Sequence, residues 1–216
     1  MTSIFRAGIW FANGWWNYGR AGYERAARNF DPRDLEVNLS DQIAVVTGSN
    51  SGLGLETTYE LAKRGAKVYM LCRDINKGLA AIEELKNRSS SIGDKLILRK
   101  VDVSLQSDIK TFVEEFTEDR VDILVNNAGC MVDGRPLTPE GIETNFATNV
   151  MGPYLLTESL IGKFSKPAKK KSIVLTVTSG GMLTQKLEPV DIQLSNKTKG
   201  IDIYAQNKVN NEVNLV

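Results

Sequence analysis

The chain has 216 residues and contains no histidine. This absence excludes Ser-His-Asp and Cys-His catalysis and any metal site built on imidazole, because each depends on that side chain. We expect no metal site at all. Acid–base catalysis in this chain would have to use tyrosine, lysine, serine or carboxylate groups.

Cysteine and long apolar runs are also scarce. Cys72 and Cys130 are too few for a disulfide framework, so a reducing compartment is expected. No run reaches the roughly 20 apolar residues of a membrane span, and the N-terminus lacks a secretory core with a small-residue cleavage site. We therefore expect a cytoplasmic protein, or one held peripherally on a membrane.

The chain also lacks an excess of charge of one sign, since its formal net charge is +1. This balance argues against nucleic acid as a partner, and the lysines between 163 and 171 are interpreted as a solvated loop. With 42% hydrophobic and 25% charged residues, the chain can bury the core of one globular domain.

Residues 1–40 differ from the rest because they hold all three tryptophans, Trp10, Trp15 and Trp16, with arginines interleaved. One interpretation is packing on the domain or on a partner subunit in a homo-oligomer. The other is peripheral membrane contact through residues 1–30. Glycines weaken a continuous helix here, and alternation at Leu35, Val37 and Leu39 predicts an extended lead-in. We treat 1–40 as an extension and 41–216 as the domain.

From Ile43 onward, strand-like and helix-like segments alternate, which is typical of βαβ units. The pattern predicts a Rossmann-type, doubly wound parallel sheet of the α/β class. A long helix is expected after Thr138-Pro139-Glu140. The predicted strands begin at Ile43 and then cover Lys67–Cys72, Leu96–Val103, Val121–Val125 and Ile173–Thr178.

The stretch from Ile43 to Gly54 passes from an apolar β-branched run into a glycine-rich turn and then into a helical pattern. Glycines let the backbone approach a ligand, and the free amides at a helix N-terminus attract phosphate. The spacing is G-x-x-x-G-x-G rather than G-x-G-x-x-G. Taken alone, the glycines could also make a simple surface turn.

The residue that follows the second strand bears on the choice of cofactor. Cys72 ends that strand and Arg73 comes next, where an acidic residue would bond the adenosine ribose. A guanidinium can pair with a 2′-phosphate instead, so NADP(H) is favoured over NAD(H). Arg73 could also be an ordinary solvated arginine.

Further polar groups follow along the chain. Asn127-Ala128-Gly129 leaves room for a flat ring beside the fourth strand, and Ser179 follows the fifth. Tyr204 and Lys208 are four residues apart, so on a helix the ammonium can approach the phenol. A nearby cation lowers a phenol pKa from about 10, which suits a general acid or base.

This ordered set, T-G-x-x-x-G-x-G, N-N-A-G, N-V-x-G, a strand-borne serine and Y-x-x-x-K, resembles the short-chain dehydrogenase/reductase superfamily, over about residues 43–208. The resemblance implies that Tyr204 exchanges a proton, Lys208 lowers its pKa and holds the nicotinamide ribose, Ser179 orients the carbonyl and Asn149 supports a proton relay. It also implies a dinucleotide held by Gly48, Ser51, Gly52, Leu53, Gly54, Arg73, Asp102, Val103, Asn127, Ala128, Gly129, Tyr204 and Lys208.

Members of that superfamily continue past this helix with further parallel strands and a loop that closes over substrate. Residues 209–216 contain three asparagines and three valines, poor material for a buried helix, so we expect an incomplete C-terminus. The implied function is NADP(H)-dependent hydride transfer to or from a small alcohol or carbonyl substrate, by analogy a lipophilic one. The alternative is a non-catalytic nucleotide-binding or interaction protein.

Overall fold

The computed structural model describes residues 3–164 and 171–214. Its centre is a parallel sheet in the order β3-β2-β1-β4-β5, which confirms the predicted Rossmann-type architecture. The strands are rich in β-branched and other apolar residues, and most of them are buried on both faces. Their bounds are β1 Ile43–Thr47, β2 Lys67–Cys72, β3 Leu96–Lys100, β4 Ile123–Asn126 and β5 Ile173–Thr176.

Helices lie between the strands and ahead of them. A π-helical turn, Ala147–Met151, joins α6 to α7, and 3-10 turns cover Pro32–Leu35, Ser90–Lys95, Ile161–Lys163 and Gly180–Thr184. The α-helices are α1 Ser3–Asn17, α2 Arg20–Ala27, α3 Gly52–Lys63, α4 Ile75–Arg88, α5 Gln106–Glu115, α6 Thr144–Phe146, α7 Gly152–Leu160 and α8 Gly200–Asn214.

The core has two layers because successive side chains of each strand point to opposite faces of the sheet. Val46 of β1 packs with the residues of α3 and α4 on one face. Val45, its neighbour, packs with residues of α5 and α7 on the other face. Helices therefore cover both faces of the sheet, as a doubly wound fold requires.

The position of β1 determines where a ligand can bind. β1 pairs with β2 on one side and with β4 on the other, so the strand order reverses beside it. In open α/β sheets, the crevice at the carboxyl ends of the strands at such a reversal is the usual ligand site. Here that crevice begins directly after Thr47 and Asn126.

The N-terminal segment is more regular than its glycines predict. α1 continues through Gly8 and Gly14, and the helix is interrupted only before α2. α1 packs against the 3-10 turn at 180–184, and Arg6 Nη1 donates to the Gln185 carbonyl at 3.3 Å. Tertiary contacts therefore stabilise a helix that intrinsic propensity disfavours. The division of the chain at residue 40 stays a prediction.

Several boundaries differ from the sequence prediction. Leu35 lies in a 3-10 turn and not in an extended segment, because the Asp31 carboxylate accepts from Arg33 N and caps that turn. β3 ends at Lys100, before Val103. The long helix begins only at Thr144, where the buried Glu143 carboxylate accepts from two backbone amides and fixes the first turn.

The last helix extends further than its composition suggests. α8 runs to Asn214, although Asn210 and Asn211 leave their buried side-chain nitrogens without a hydrogen-bond partner among the described residues. The expectation about the C-terminus concerns in part Leu215 and Val216, which lie outside the described residues, as do residues 165–170 of the lysine-rich loop. Within the described ranges, no helix is long and apolar enough to cross a bilayer.

Candidate active site

The glycine-rich turn after β1 adopts the conformation that its sequence predicts. Gly48 and Gly52 have φ values of +62° and +55°, in the region that favours glycine. α3 begins at Gly52, and Ser51 precedes it without a side-chain capping hydrogen bond. A Cβ on Gly52 would meet nothing within 4 Å. The first amides of α3 therefore border open space, as a phosphate-binding turn requires.

Gly54 has a packing function. A Cβ there would lie 2.5 Å from Asn127 Nδ2 and would overlap the Gly48 carbonyl, so only glycine lets α3 approach the turn and β4 so closely. Asn127 Nδ2 donates to the carbonyls of Thr47 and Gly48 at 2.9 and 3.2 Å. The Asn127 side chain thus joins the end of β4 to the glycine turn.

Thr47 is a positioning residue that the sequence analysis did not single out. Its buried Oγ1 accepts from the backbone nitrogens of Asn127 and Ala128 at 3.0 and 2.9 Å. One hydroxyl at the end of β1 therefore holds the backbone that follows β4. The sequence offered one signal, the threonine directly before Gly48. A β-branched residue at the end of a strand is also typical of ordinary core, so this signal did not indicate a positioning role.

A cleft of about 400 Å³ runs along the carboxyl ends of β1, β2 and β4. Arg73 lies at one end with 75% of its side chain exposed, and its Nε is 3.9 Å from Asp102 Oδ2. Lys77 lines the same end. The predicted cofactor residues that line this cleft are Gly48, Ser51, Arg73, Asp102, Val103, Asn127, Ala128 and Gly129.

A second cleft, of about 480 Å³, contains the tyrosine–lysine pair. It is lined by Leu53, Met131, Val177, Tyr204 and Lys208, and it shares Asn127, Gly129 and Cys130 with the first cleft. The two clefts therefore meet at the end of β4. Of the predicted cofactor residues, Gly52 and Gly54 are outside both linings.

Lys208 is buried, with 3% of its surface exposed. Its Nζ donates to the Val177 carbonyl at 2.7 Å and lies 5.5 Å from the centroid of the Tyr204 ring. Burial lowers the pKa of Lys208, and the nearby Cys130 opposes that shift. α8 thus brings Tyr204 and Lys208 to one cleft, as the four-residue spacing predicts.

Asn149 lies in the π-helical turn, fully buried. Its Nδ2 donates to the Cys130 carbonyl and its Oδ1 accepts from Cys130 N, both at 2.8 Å. Asn145, one turn earlier, makes the same pair of bonds with Val132. The two asparagines therefore clamp the backbone at 130–132. Sequence analysis identified Asn149 and missed Asn145, although a four-residue N-x-x-x-N spacing was present.

Two predicted catalytic residues, Asn149 and Ser179, are outside the lining of the Tyr204–Lys208 cleft. Asn149 still reaches the cleft through its two hydrogen bonds to Cys130, whereas Ser179 does not. The Ser179 hydroxyl accepts from Gly181 N at 3.2 Å and caps the 3-10 turn. Ser179 lines a different pocket, between α1 and residues 178–183. The structure therefore brings Asn149, Tyr204 and Lys208 to one end of the sheet. It places Ser179, in the segment after β5, in the lining of the pocket beside α1.

The cysteines add little chemistry to the site. Cys72 ends β2 with its side chain buried, and burial raises the pKa of its thiol. Burial also raises the pKa of the Cys130 thiol, which borders both clefts. Both groups are therefore neutral thiols near neutral pH and poor nucleophiles. Among the residues in 3–164 and 171–214, no group of His, Cys, Asp or Glu could hold a metal.

Comparison with known proteins gives one consistent result. The model of the short-chain dehydrogenase family matches residues 42–188. Dehydrogenase/reductase SDR family member 12 from Bos taurus is 44% identical over 208 residues, which cover 95% of this chain and 64% of the relative. Retinol dehydrogenase 12 from Mus musculus is 35% identical over 177 residues, which cover 81% of this chain and 55% of the relative.

A solved structure agrees with these sequence matches. A metagenomic short-chain oxidoreductase in complex with NADP superposes with a TM-score of 0.62 at 25% identity, covering 81% of this chain and 73% of the other. The chain spans less than two thirds of the length of the two curated relatives named above.

Proposed function

This chain belongs to the short-chain dehydrogenase family, and on that premise we propose that it binds NADP(H) in the two joined clefts and transfers hydride to or from an alcohol or carbonyl carbon. The observation that carries the proposal is the continuity of the clefts through Asn127, Gly129 and Cys130. An extended ligand can contact Arg73 at one end and Tyr204 at the other.

The residues present fit a dinucleotide. Gly52 leaves open space at the first turn of α3, where a diphosphate would accept from backbone amides. A Cβ on Gly129 would lie 3.1 Å from Asn149 Oδ1 and 3.8 Å from Lys208 Nζ, so a larger residue there would narrow the passage between the clefts. A bound nicotinamide would supply or accept the hydride, chemistry that no side chain of the protein provides.

The proton chemistry is assigned to this chain's own residues. We propose that the Tyr204 phenol donates to or accepts from the substrate oxygen, and that the Lys208 ammonium, which lies 5.5 Å from the centroid of the Tyr204 ring, holds the nicotinamide ribose. Asn149 keeps the backbone at Cys130 in place, which maintains the junction of the clefts and the setting of a proton relay. Ser179 is proposed to orient the carbonyl.

Replacement of Tyr204 tests the reaction. With NADPH and either decanal or all-trans-retinal, Tyr204→Phe is expected to lower kcat by at least about 100-fold, the usual contribution of a general acid, and to leave NADPH affinity within about threefold. Tyr154→Phe, which changes an exposed tyrosine on α7, serves as the matched control. Unchanged turnover in Tyr204→Phe would refute the assigned role.

The preference for NADP(H) depends on Arg73. A charge-assisted bond to the 2′-phosphate contributes about 1.5–3 kcal/mol, so Arg73→Ala should weaken NADPH binding about 10- to 100-fold and NADH binding little. Arg28→Ala, at an exposed position after α2, is the control. Equal losses for both cofactors would show that Arg73 does not contact the phosphate. The NADP complex of the metagenomic relative supports the proposal.

A second function is favoured by the position of Ser179 outside the Tyr204–Lys208 cleft. In that case the chain is a nucleotide-binding or interaction protein without turnover. Tight NADPH binding with no reduction of either aldehyde, in the chain and in Tyr204→Phe alike, would establish this alternative. Activity that disappears in Tyr204→Phe would exclude it.

The substrate and the membrane are also matters of proposal. The retinol dehydrogenase relative supports a lipophilic alcohol or carbonyl as substrate. Residues 1–30 are proposed to contact a membrane peripherally, because Phe11, Trp15, Trp16 and Tyr23 are all more than 60% exposed. Co-sedimentation with phosphatidylcholine vesicles tests this contact, and no association at any lipid concentration would refute it.

A further inference from the structure

An apolar pocket lies between α1 and residues 178–183, with a volume of about 630 Å³. Trp10, Phe11, Trp15 and Tyr18 form its N-terminal wall, and Met182 and Leu183 belong to the opposite wall. Pockets of roughly 300–1,000 Å³ lined by aromatic and aliphatic side chains with few polar groups are typical of small-molecule sites.

The two walls are joined by specific contacts. Arg6 Nη1 donates to the Gln185 carbonyl at 3.3 Å, at the end of the 3-10 turn. A Cβ on Gly180 would lie 3.3 Å from Trp10 Nε1, so glycine lets the indole approach the backbone. Ser179 caps the same turn with its hydroxyl. These contacts hold α1 against the 3-10 turn. The pocket lies between α1 and that turn.

Polar groups in the wall are few. Ser179 Oγ accepts from Gly181 N and keeps its own proton to donate, while the Trp10 indole nitrogen is a second donor. Thr178 Oγ1 is in contact with the Met182 sulfur at 3.5 Å. A ligand that matches this wall has one hydroxyl or carbonyl oxygen and an otherwise apolar body, because any further polar group would lose its hydration without a partner.

The pocket adjoins the proposed active site through the backbone after β5. Val177 lines the Tyr204–Lys208 cleft, and the next two residues, Thr178 and Ser179, line the apolar pocket. The Val177 carbonyl itself accepts from Lys208 Nζ at 2.7 Å. The pocket and the Tyr204–Lys208 cleft therefore border the same three-residue segment, 177–179.

We propose that α1 is one wall of the substrate pocket, and that the pocket binds the apolar body of an elongated alcohol or aldehyde whose oxygen lies near Ser179. The geometry of the pocket supports the binding of such a molecule. That this molecule is the substrate rests on the proposed function. The pocket is a separate proposal from the peripheral membrane contact of residues 1–30, because its apolar lining has a second wall outside α1.

Two glycines of α1 provide a matched pair of variants. A Cβ at Gly14 or at Gly8 would meet nothing within 4 Å, and both are in the same helix, but only Gly14 lines the pocket. Gly14→Phe should fill the cavity, whereas Gly8→Phe adds the same side chain elsewhere. Both changes favour the helix, so a difference between them reports on the pocket and not on α1 stability.

The probe is N-phenyl-1-naphthylamine, a neutral aromatic amine that accepts energy from tryptophan. All three tryptophans of the chain are in α1, so their quenching reports binding beside that helix. We expect saturable quenching that 1-decanol and decanal reverse. The Kd for the probe should rise at least about tenfold in Gly14→Phe and stay within twofold in Gly8→Phe.

Two results would overturn this proposal: equal probe affinity in the two variants, or tryptophan quenching by the probe that appears only when phosphatidylcholine vesicles are present. The KM for decanal provides the link to catalysis and should rise in Gly14→Phe while NADPH affinity is unchanged. Failure of the proposed function would show differently, as absent NADPH binding or absent turnover with probe binding intact.

Discussion

Thr47→Val removes a hydroxyl and keeps the volume and branching of the side chain. In the native protein this hydroxyl accepts from Asn127 N at 3.0 Å and from Ala128 N at 2.9 Å. Asn127 N also donates to the Val125 carbonyl at 3.0 Å and keeps that bond in the variant. Ala128 N loses the partner that holds it beside the end of β1. The hydroxyl also donates to the Val125 carbonyl at 3.4 Å. The change therefore removes three hydrogen bonds, and Ala128 N is the group left without a partner among the described residues.

The unsatisfied amide of Ala128 and the loss of hydrogen bonds by groups that keep another partner give the expected magnitude. An unsatisfied, partly buried amide costs about 1–3 kcal/mol and a lost hydrogen bond about 0.5–1.5 kcal/mol, so Thr47→Val should lower the free energy of unfolding by about 2–4 kcal/mol. Because small proteins have a total stability of about 5–15 kcal/mol, the effect is large. NADPH affinity should fall too, since the displaced backbone lines the cleft proposed to hold the cofactor.

Thr58→Val is the matched control. Thr58 is also fully buried, and its hydroxyl donates to the Gly54 carbonyl at 2.8 Å. That change removes one donor and leaves no N–H group unsatisfied, so it should cost about 1 kcal/mol. With an m-value of about 2 kcal/mol per molar urea, the two unfolding midpoints should differ by about 0.5–1.5 M. Coincident midpoints would refute the role given to Thr47.

Three further predictions concern other parts of the chain. Gly54→Ala should destabilise the protein by about 1–3 kcal/mol in urea unfolding, because its methyl group would overlap a backbone carbonyl, whereas Gly8→Ala, with nothing within 4 Å, should stabilise α1 by about 0.5–1 kcal/mol. The hydrogen bond from Lys67 holds the pKa of Glu118 below its ordinary 4.5. The stability that the Glu118 carboxylate contributes is therefore complete above its unfolded-state pKa and is lost as the pH falls through the lower folded-state pKa. Glu118→Gln should flatten the decline in the free energy of unfolding measured between about pH 6 and pH 3. β5 is an edge strand with exposed apolar side chains at 173–175, and such an edge promotes pairing between chains. We therefore expect self-association through β5, which Val174→Lys should reduce in sedimentation velocity; an unchanged species distribution would contradict it.

The pattern of the sequence was informative wherever a local requirement decides the residue type. β-branched runs bounded by turns predicted the strands, and positive φ at Gly48 and Gly52 agrees with the glycine-rich turn. The four-residue interval between Tyr204 and Lys208 predicted their common cleft, because residues four apart share a helix face. These inferences need only neighbouring residues.

Long-range contacts account for what the sequence left open. α1 is a helix because it packs on a turn about 180 residues away, as the bond from Arg6 to Gln185 shows, and glycine propensity alone predicted otherwise. The buried Glu143 caps α6 and moves the start of that helix beyond the predicted position. Such contacts depend on where the sheet places distant segments, which no local pattern records.

Periodicity, backbone freedom and helix spacing predict the parallel fold, the glycine-rich turn and the polar groups at the ends of the strands from the sequence alone. How those groups are held follows only from the folded chain. The structure showed Thr47 joining β1 to β4, Asn149 bonded to the backbone of Cys130, and Ser179 turned towards the pocket beside α1. The sequence does not predict these contacts because hydrogen-bond partners and pocket walls come from segments far apart in the chain.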